Sequence, residues 1–397
     1  MQISKRAKQV TGSLTLAIDA KAKAMIAEGV DVVSFGAGEP DYDTPKHIRE
    51  AAIAAMERGE TRYTPSSGTL ALRKAVCEKL EKRNGLSYEP SQIVISSGAK
   101  HSLYNTVCAI LEEGDEVIIL PPAWVSYPEM VKMAGGVPVY AKCDENNRFA
   151  VSADAIRSVV TEKTRAIMLN SPCNPTGEVI PYEILLEIAK IAKEYDLWII
   201  SDEIYEEFAY DGPAVPSIAT LDEETKGRTI LINGVSKTYA MTGWRIGYLA
   251  APQELAKAIG NWQSHATSNP NSIAQAAALA AISGPQDCVG EMVAEFDERR
   301  KIMQGMLQAI DGVNCPLPRG AFYCLADIRG LLGKSYNGKV ITTDDEFAAV
   351  LLEEKAVAVV PGSGFMAPGY IRLSYALGRE NIVKGITRIA EFAKELV

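Results

Sequence analysis

Residues 233–247 read NGVSKTYAMTGWRIG, and the rest of the chain is interpreted outward from this stretch. Its one lysine, Lys237, stands between hydroxylated neighbours, and Arg245 follows eight residues later, just before the apolar run 246–250. A lysine whose pKa is lowered by burial or nearby positive charge forms Schiff bases with aldehydes, and arginine binds phosphate through a planar fork of donors. The spacing therefore indicates a fixed amine beside an anion site. The alternative is two solvated cations on a surface loop.

The composition describes a globular protein with a large apolar core. Its 397 residues, 47% apolar and 23% charged, are enough for two domains. A formal net charge of −9 disfavours nonspecific binding to nucleic acid or to an acidic membrane. The first ten residues lack the apolar core of a secretory signal, and no run reaches membrane-spanning length. We therefore expect a cytoplasmic protein that acts on small molecules.

The cysteines and histidines offer no metal or disulfide pattern. The seven cysteines are odd in number and scattered without CxxC pairs, which disfavours a disulfide framework or a zinc site. The three histidines show neither metal-ligand nor triad-like spacing. We therefore expect reduced structural thiols and no metal cofactor.

An apolar strand followed by small residues predicts an anion cradle near residue 98. Residues 92–96 form the strand, and Ser97, Gly98 and Ala99 then open a helix with one apolar side. Backbone N–H groups and the helix dipole at such an N-terminus attract phosphate. The sequence is neither GxGxxG nor a Walker A motif, so dinucleotide and nucleoside triphosphate sites are disfavoured.

A carboxylate follows the most apolar predicted strand. The run 197–201 is typical of a buried parallel strand, and Asp202 and Tyr205 come directly after it. The carboxyl ends of parallel strands are where α/β proteins place their sites. The alternatives for Asp202 are a helix cap or a surface carboxylate.

Four other candidate residues follow predicted strands or lie in turns. Trp124 comes after strand 116–120 and can cover a planar ring, or it can be a core residue. Asn174 lies in the turn after strand 165–169, where the following proline holds it extended with its amide free for a ligand. Gly38 and Tyr63 lie in turns that, taken alone, are ordinary.

The hydrophobic pattern changes near residue 285, where we place a domain boundary. Residues 261–282 and 288–309 predict two long helices separated by Gly284-Pro285. We expect an N-terminal arm (1–45) that joins a smaller α+β domain (286–397), and a large domain (46–285) between them. The smaller domain has predicted strands at 321–325, 357–360 and 370–375, and helices at 343–354 and from 380.

Taken together, these motifs resemble those of the class I aminotransferases, and within them the bacterial aspartate aminotransferase subgroup. The matching motifs are GEPD (38–41), NPTG (174–177), SDEIY (201–205), the lysine stretch and RLSYA (372–376), which span most of the chain. The resemblance implies the α/β architecture of fold type I enzymes that use pyridoxal 5′-phosphate (PLP). In that architecture a large domain has a mostly parallel seven-stranded sheet between helices, and a smaller α+β domain packs beside it.

The resemblance also implies catalytic roles. Lys237 would hold PLP as a Schiff base and later shuttle a proton, and Asp202 would pair with the pyridinium nitrogen. Tyr205 and Asn174 would hydrogen-bond the phenolic oxygen of the cofactor. Trp124 would stack on its ring and border the substrate.

The cofactor phosphate would be held by the turn at Ser97, Gly98 and Ala99 together with Ser236 and Arg245. Tyr63 would reach the same phosphate from the other subunit. The resemblance thus implies a homodimer with shared active sites.

Arg372 matches the arginine that binds the substrate α-carboxylate, with Gly38 and Asn174 completing the pocket; the alternative is a surface ion pair. Lys100 resembles the residue for the distal carboxylate of dicarboxylic substrates, or it is a solvated helix residue. Relatives that also transaminate prephenate have a basic residue near the position of Thr11, so we expect no such side activity here.

The leading hypothesis is a transaminase for aspartate and 2-oxoglutarate. It would work by a ping-pong mechanism in which PLP alternates with pyridoxamine phosphate, and its partners would be amino acids and 2-oxo acids. The main alternative is a class I aminotransferase with another donor, aromatic, alanine or other, since only the side-chain pocket differs. A non-catalytic PLP-binding regulator and a dinucleotide-dependent oxidoreductase are the other two alternatives.

Overall fold

In a computed structural model of the chain, which describes residues 2–12, 14–212 and 215–397, a seven-stranded sheet forms the centre of the larger part. The strands are β1 (Val33–Ser34), β2 (Ile93–Ser96), β3 (Glu116–Ile119), β4 (Val137–Tyr140), β5 (Thr164–Asn170), β6 (Trp198–Asp202), β7 (Thr229–Gly234), β8 (Gly247–Ala250), β9 (Tyr323–Asp327), β10 (Ser335–Tyr336), β11 (Lys339–Val340), β12 (Val357–Ala358), β13 (Val360–Pro361) and β14 (Tyr370–Ser374).

The sheet has the strand order β2-β8-β7-β6-β5-β3-β4, and every neighbouring pair is parallel except the two that involve β8. The prediction of an α/β fold with a mostly parallel seven-stranded sheet is therefore confirmed. The central residues of β5, β6 and β7 are buried, which explains the short apolar run within each strand.

Helices cover both faces of this sheet. Other helices pack around the smaller sheet described below. In chain order, the helices of the described residues are α1 (Lys5–Gln9), α2 (Leu14–Ala27), α3 (Lys46–Glu57), α4 (Leu70–Asn84), α5 (Ala99–Ile110), α6 (Ser126–Met133), α7 (Ala153–Arg157), α8 (Tyr182–Glu194), α9 (Glu223–Gly227), α10 (Gln253–Ala266), α11 (Ser272–Ser283), α12 (Asp287–Gln308), α13 (Asp344–Lys355) and α14 (Arg379–Glu395).

Alternate strand residues serve the two faces of the sheet. On β6, Ile200 joins a core with α5, α6 and α10, whereas its neighbour Ile199 joins a core with α8. Successive side chains of a strand point to opposite faces, so one apolar run supplies both cores. The polar ends of the strands are left at one edge of the sheet.

A second core lies around the antiparallel sheet β13-β14-β9 and the helices α12, α13 and α14. Its aromatic centre includes Phe296, Phe347 and Phe392, and Val33 and Phe35 from the N-terminal segment pack into it. This packing is consistent with the domain bounds 1–45, 46–285 and 286–397, which stay our proposal.

The single long helix predicted over residues 261–282 is wrong. The structure has α10 and α11 instead, separated by a segment that contains Pro270. Proline lacks the N–H for a helical hydrogen bond and disfavours helical geometry in the residue before it. Asn271 then starts α11, because its Oδ1 accepts a hydrogen bond of 2.9 Å from the Ala274 N–H.

Two further details differ from the sequence-based expectation. The strand expected to start at Arg245 starts at Gly247, because Arg245 has left-handed backbone geometry (φ 56°). The edge strand β4 was not identified from the sequence, since it contains Pro138 and its two end residues are exposed. No helix in the described part of the chain combines the length and apolarity needed to cross a bilayer.

Candidate active site

A cavity of about 430 Å³ opens at the carboxyl edge of the large sheet. Asn170 and Asp202 end β5 and β6 at this edge, and Lys237 lies three residues beyond the end of β7. Arg372 of β14 contributes to the wall from the second core. The topology thus brings together residues from four strands that are far apart in sequence.

Lys237 is half-buried at the floor of the cavity. Its Nζ donates a hydrogen bond of 2.5 Å to the carbonyl oxygen of Gly38. Burial, together with the charges of Arg245 and Arg372, lowers the pKa of Lys237 to about 8 against the opposing effects of Glu39 and Asp202. A sizeable fraction of this amine is therefore neutral near pH 8 and can act as a nucleophile.

Asp202 is buried with 3% exposure, and its two carboxylate oxygens have different donors. The Tyr127 hydroxyl donates to Oδ2 at 2.7 Å, and the backbone N–H of Ile204 donates to Oδ1 at 3.3 Å. Burial raises the pKa of Asp202 to about 6, although the hydrogen bonds oppose this shift. A cationic partner in the cavity would therefore stabilise the ionised form of this carboxylate.

Tyr205 and Tyr323 meet at the side of the cavity, with their hydroxyl oxygens 2.9 Å apart. Both are buried, and burial raises the pKa of each hydroxyl, so both stay protonated donors. A Cβ on Gly38 would lie 3.2 Å from the Tyr323 hydroxyl, so a side chain there would crowd this pair.

Arg372 is buried with 2% exposure and has neutral partners. One terminal nitrogen donates to Oδ1 of Asn174 at 3.1 Å and the other donates to the Gly36 carbonyl at 2.8 Å. Its guanidinium lies 4.5 Å from the ring centroid of Tyr323, and its Nε has no hydrogen-bond partner among the described residues. Burial lowers the pKa of Arg372. A buried cation in such surroundings is a receptor for a carboxylate.

The anion end of the cavity is built from the start of α5 and from Arg245. Gly98 precedes the helix with φ 92°, and a Cβ there would lie 2.2 Å from an Arg245 terminal nitrogen. Arg245 donates to the Thr242 carbonyl at 2.8 Å and to the Ser97 carbonyl at 3.4 Å. The first helical residue, Ala99, and this guanidinium line the same cavity, and Ser236 lines it with them.

Lys100 and Trp124 form the outer wall. The Lys100 Nζ lies 4.6 Å from the Trp124 ring centroid, in cation–π geometry. Burial and the charge of Arg245 lower the pKa of Lys100. The Trp124 ring in turn contacts Tyr127 edge-on, with centroids 5.4 Å apart.

Not every predicted residue lines the cavity. Tyr63 is 90% exposed and does not line the cavity of its own chain. Ser97 and Gly98 do not line it either, but both contact Arg245, which does. Ala99 lines it directly, as do the other predicted site residues: Gly38, Lys100, Trp124, Asn174, Asp202, Tyr205, Ser236, Lys237, Arg245 and Arg372. Thr11 is engaged elsewhere, since its N–H donates to Glu129 at 2.9 Å.

Sequence reasoning missed Tyr127 and Tyr323. Tyr127 lies three residues after Trp124, so its position in the same strand-end segment was a signal that could have been used. Tyr323 lies within β9 and reaches Tyr205 only through the packing of the two sheets, for which the sequence has no local sign.

Comparison with known proteins agrees with this geometry. A family model described as "Aminotransferase class I and II" matches residues 30–389. The chain belongs to this family. An aspartate aminotransferase of Bacillus sp. (strain YM-2) is 49% identical over 99% of both chains. A probable aspartate/prephenate aminotransferase of Aquifex aeolicus (strain VF5) is 45% identical over 99% of both chains.

The solved structures of aminotransferases have the same fold. The crystal structure of the aspartate aminotransferase from Rhizobium meliloti superposes with a TM-score of 0.96 at 43% identity and full coverage of both chains. The enzyme from Thermus thermophilus with maleate superposes with a TM-score of 0.93 at 40% identity, covering 98% of this chain and 99% of that one.

Class I aminotransferases use pyridoxal 5′-phosphate, and the residues of this chain fit that cofactor. An amine with a lowered pKa suits the aldehyde, and the buried Asp202 suits a protonated ring nitrogen. Gly98 leaves room for Arg245 beside the helix N-terminus, which suits the phosphate. The site therefore offers one matching group for each reactive part of the aminotransferase cofactor.

Proposed function

We propose that this aminotransferase transfers the amino group of L-aspartate to 2-oxoglutarate, giving oxaloacetate and L-glutamate by a ping-pong mechanism. The observation that supports the proposal is that one cavity is lined by Lys237, Asp202 and Arg372. The pKa of Lys237 is lowered to about 8, and the other two residues are buried. Relatives that are 45–49% identical over 95% or more of both chains carry the name aspartate aminotransferase, which supports this donor.

Lys237 acts first as the amine that holds the cofactor and then as the base that moves the substrate α-proton. When bound, PLP supplies an aldehyde that condenses with amines and a ring that withdraws electrons from the substrate Cα. Asp202 keeps the ring nitrogen protonated, and Tyr127 orients that carboxylate. Tyr205 donates a hydrogen bond to the phenolic oxygen of the cofactor.

Arg372 binds the α-carboxylate of the amino acid in a bidentate fork. The Asn174 carbonyl oxygen faces Arg372, so its NH₂ group is left to donate to the cofactor. Gly38 allows close approach, because a side chain there would crowd Tyr323. Lys100, which lies 4.6 Å from the Trp124 ring centroid, would pair with the distal carboxylate of the substrate, and Trp124 would stack on the cofactor ring.

The start of α5 at Ala99, the turn before it, Ser236 and Arg245 hold the phosphate. Tyr63 is supplied by the second subunit of a homodimer, which its 90% exposure in the single chain favours. We also infer a cytoplasmic location. Thr11 in place of a basic residue disfavours prephenate as a substrate, even though the Aquifex aeolicus relative is named for both activities.

The experiment is an amino-donor panel with the purified holoenzyme. Aspartate, glutamate, alanine and phenylalanine are added singly, and loss of the visible absorbance of the bound cofactor gives the rate for each. Aspartate and glutamate should react fastest. If phenylalanine or alanine outpaces aspartate, the proposed donor is wrong and the alternative donors are supported.

Two variants test the role of Lys100 in this panel. Lys100→Met should slow the aspartate reaction about tenfold or more while leaving the alanine reaction near the parental rate, because only aspartate has a second carboxylate. The control is Lys46→Met, an exposed lysine on α3 outside the cavity, and it should behave like the parent. An equal loss for both donors would contradict the role in specificity.

A further inference from the structure

A second cavity, which we call the rear cavity, shares a wall with the catalytic one. Its volume is about 220 Å³, and Tyr127 and Asn170 line both cavities. It lies between the ends of β3 and β5, the loop 143–151 and the turn 173–181. A cavity of about 150 Å³ is enough to hold benzene, so the rear cavity has room for a small organic molecule.

The inner wall of the rear cavity is mostly apolar. An occupant's ring or chain that packs against these side chains is removed from water, which favours binding in proportion to the apolar area buried. The wall includes Ile119, Ala123, Val151, Met168 and Ile180.

The mouth of the rear cavity is cationic. Arg148 donates to Oε1 of Glu178 at 2.9 Å and to the Leu317 carbonyl at 2.6 Å. The Nε of Arg319 lies 3.8 Å from Oε2 of Glu178, which is beyond hydrogen-bond distance, and its side chain is 55% exposed. Two guanidinium groups against one carboxylate leave one positive charge, and the fork of Arg319 keeps donors for an anion.

The loop that carries Arg148 has unusual backbone geometry. Arg148 and Phe149 are consecutive residues with left-handed φ values of 56° and 58°. The loop is closed by a bridge between Asp144 and Ala150, and Phe149 is packed edge-on against Tyr370 at 5.2 Å. Strained backbone of this kind is concentrated at functional sites, and here it places a guanidinium at a cavity mouth.

We propose that the rear cavity is a second binding site, for a small aromatic monocarboxylate. The aromatic ring lies against the apolar wall and the carboxylate pairs with Arg319. Because Tyr127 lines this cavity and its hydroxyl holds Asp202, an occupant contacts the residue that orients the carboxylate of the catalytic cavity.

The test is calorimetric titration of the full-length holoenzyme with 3-phenylpropionate. The compound can also enter the catalytic cavity on Arg372, so Arg372→Leu is used to remove that binding mode. We expect one site per subunit to survive in Arg372→Leu. Adding Arg319→Gln to this variant should weaken the site about tenfold or more, and adding Val151→Trp, which fills the cavity, should abolish it.

The matched control is Arg165→Gln in the same background. Arg165 is 54% exposed and pairs with Asp115 at 3.1 Å, outside the residues that line either cavity, so this variant should bind like its parent. If Arg372→Leu loses all binding, or if Arg319→Gln and Val151→Trp both bind like their parent, the compound does not occupy the rear cavity and the proposal is wrong. Arg319 is a surface residue, so its variant stays informative if Val151→Trp does not fold.

The contact with Tyr127 has its own readout. Adding 3-phenylpropionate to the Arg372→Leu holoenzyme should shift the midpoint of the pH titration of the visible cofactor absorbance. Substituting Val151→Trp in that background should remove the shift. An unchanged midpoint at saturating compound would overturn the link between the rear cavity and Asp202.

Discussion

Two buried carboxylates four positions apart, Glu206 and Asp202, lie in opposite electrostatic situations. Burial alone raises the pKa of Glu206, but Lys79 and hydrogen bonds that include one of 2.5 Å from Asn233 bring it below its ordinary value. Asp202 has a Tyr127 hydroxyl but no cation within hydrogen-bond distance among the described residues, and burial raises its pKa to about 6. One carboxylate is already paired, and the other is prepared for a partner.

The cations show the same contrast. Lys79 is paired with Glu206, whereas burial lowers the pKa of both Lys237 and Arg372, which have carbonyl or amide partners. Charged groups that stay buried without a counter-ion cost stability, so they persist where a ligand supplies the missing charge. The difference separates the part of the buried charge that holds the fold from the part that holds a cofactor and a substrate.

The largest expected effect comes from the buried charges of the cavity, which lack a counter-ion among the described residues. Lys237→Ala should lower the rate of the aspartate half-reaction by about 10⁴-fold or more, because it removes both the nucleophilic amine and the base. As apoenzyme the variant should be at least as stable as the parent in thermal unfolding, because burial makes the charge of Lys237 costly. Borohydride treatment of the parental holoenzyme should fix the cofactor on Lys237 by mass spectrometry. A parental rate in the variant would disprove the role of this residue.

Lys79→Met tests the buried ion pair between Lys79 and Glu206. Removing one partner of a buried pair leaves an uncompensated charge on Glu206, so the free energy of unfolding should fall by about 3–5 kcal/mol. Urea unfolding of the holoenzyme measures this. Lys82→Met is the control, because its ion pair with Glu78 is exposed and should change stability by less than about 0.5 kcal/mol. Equal stability of the two variants would remove the distinction between the regions.

Asp202→Asn should have the opposite profile to Lys79→Met. The aspartate half-reaction should slow about 10²- to 10³-fold, since a preorganised charge is lost. The apoenzyme, however, should gain up to about 3 kcal/mol at pH 8, because one pKa unit corresponds to about 1.4 kcal/mol and the pKa of Asp202 is raised to about 6.

The sign of that gain depends on pH. A raised carboxyl pKa destabilises the fold above the folded-state pKa, and the penalty disappears below the unfolded value of 3.8. Urea unfolding at pH 8 and pH 5 should therefore show the stabilisation of Asp202→Asn shrinking at the lower pH. A variant less stable than the parent at pH 8 would show that Asp202 is a paired structural charge like Glu206.

The smallest effect is a shift in a pH profile. The neutral fraction of Lys237 should rise about tenfold per pH unit below its pKa of about 8 and level off above it. The rate at which apoenzyme combines with PLP, measured by stopped-flow absorbance from pH 6 to pH 10, should follow this curve. Asp202→Asn should move the midpoint down, since Asp202 raises the pKa of Lys237. A rate still climbing at pH 10 would argue for an ordinary lysine.

Local patterns carried much of the fold and of the catalytic cavity. The apolar run before Asp202 predicted a buried strand because a short continuous apolar run is typical of a parallel strand covered on both faces. The small residues at 97–99 predicted the helix start that the structure has. The helix over 261–282 was wrong because its apolar periodicity was weighted above the break at Pro270. The helical periodicity of apolar residues appeared unbroken because the segment between α10 and α11 is short.

The remaining features depend on packing between distant segments. Tyr323 reaches Tyr205 across 118 positions of sequence, and Tyr127 reaches Asp202 across 75. Nothing local to these tyrosines separates them from ordinary core residues. The Lys79–Glu206 pair was missed for the same reason, since each residue taken alone resembles a charge on a solvated helix or loop.

The antiparallel strand β8 has a dynamic consequence for the site. Its register pairs Gly234 with Gly247, so Lys237 and Arg245 lie on the loop that connects two hydrogen-bonded antiparallel strands, β7 and β8. Amide hydrogen exchange at 231–234 and 247–250 should therefore proceed in step, as one cooperative opening unit. Because β8 also pairs with β2 and β7 also pairs with β6, this unit opens only when those neighbouring pairings break as well. The amine and the anion clamp are therefore held, and would be released together, by the centre of the sheet.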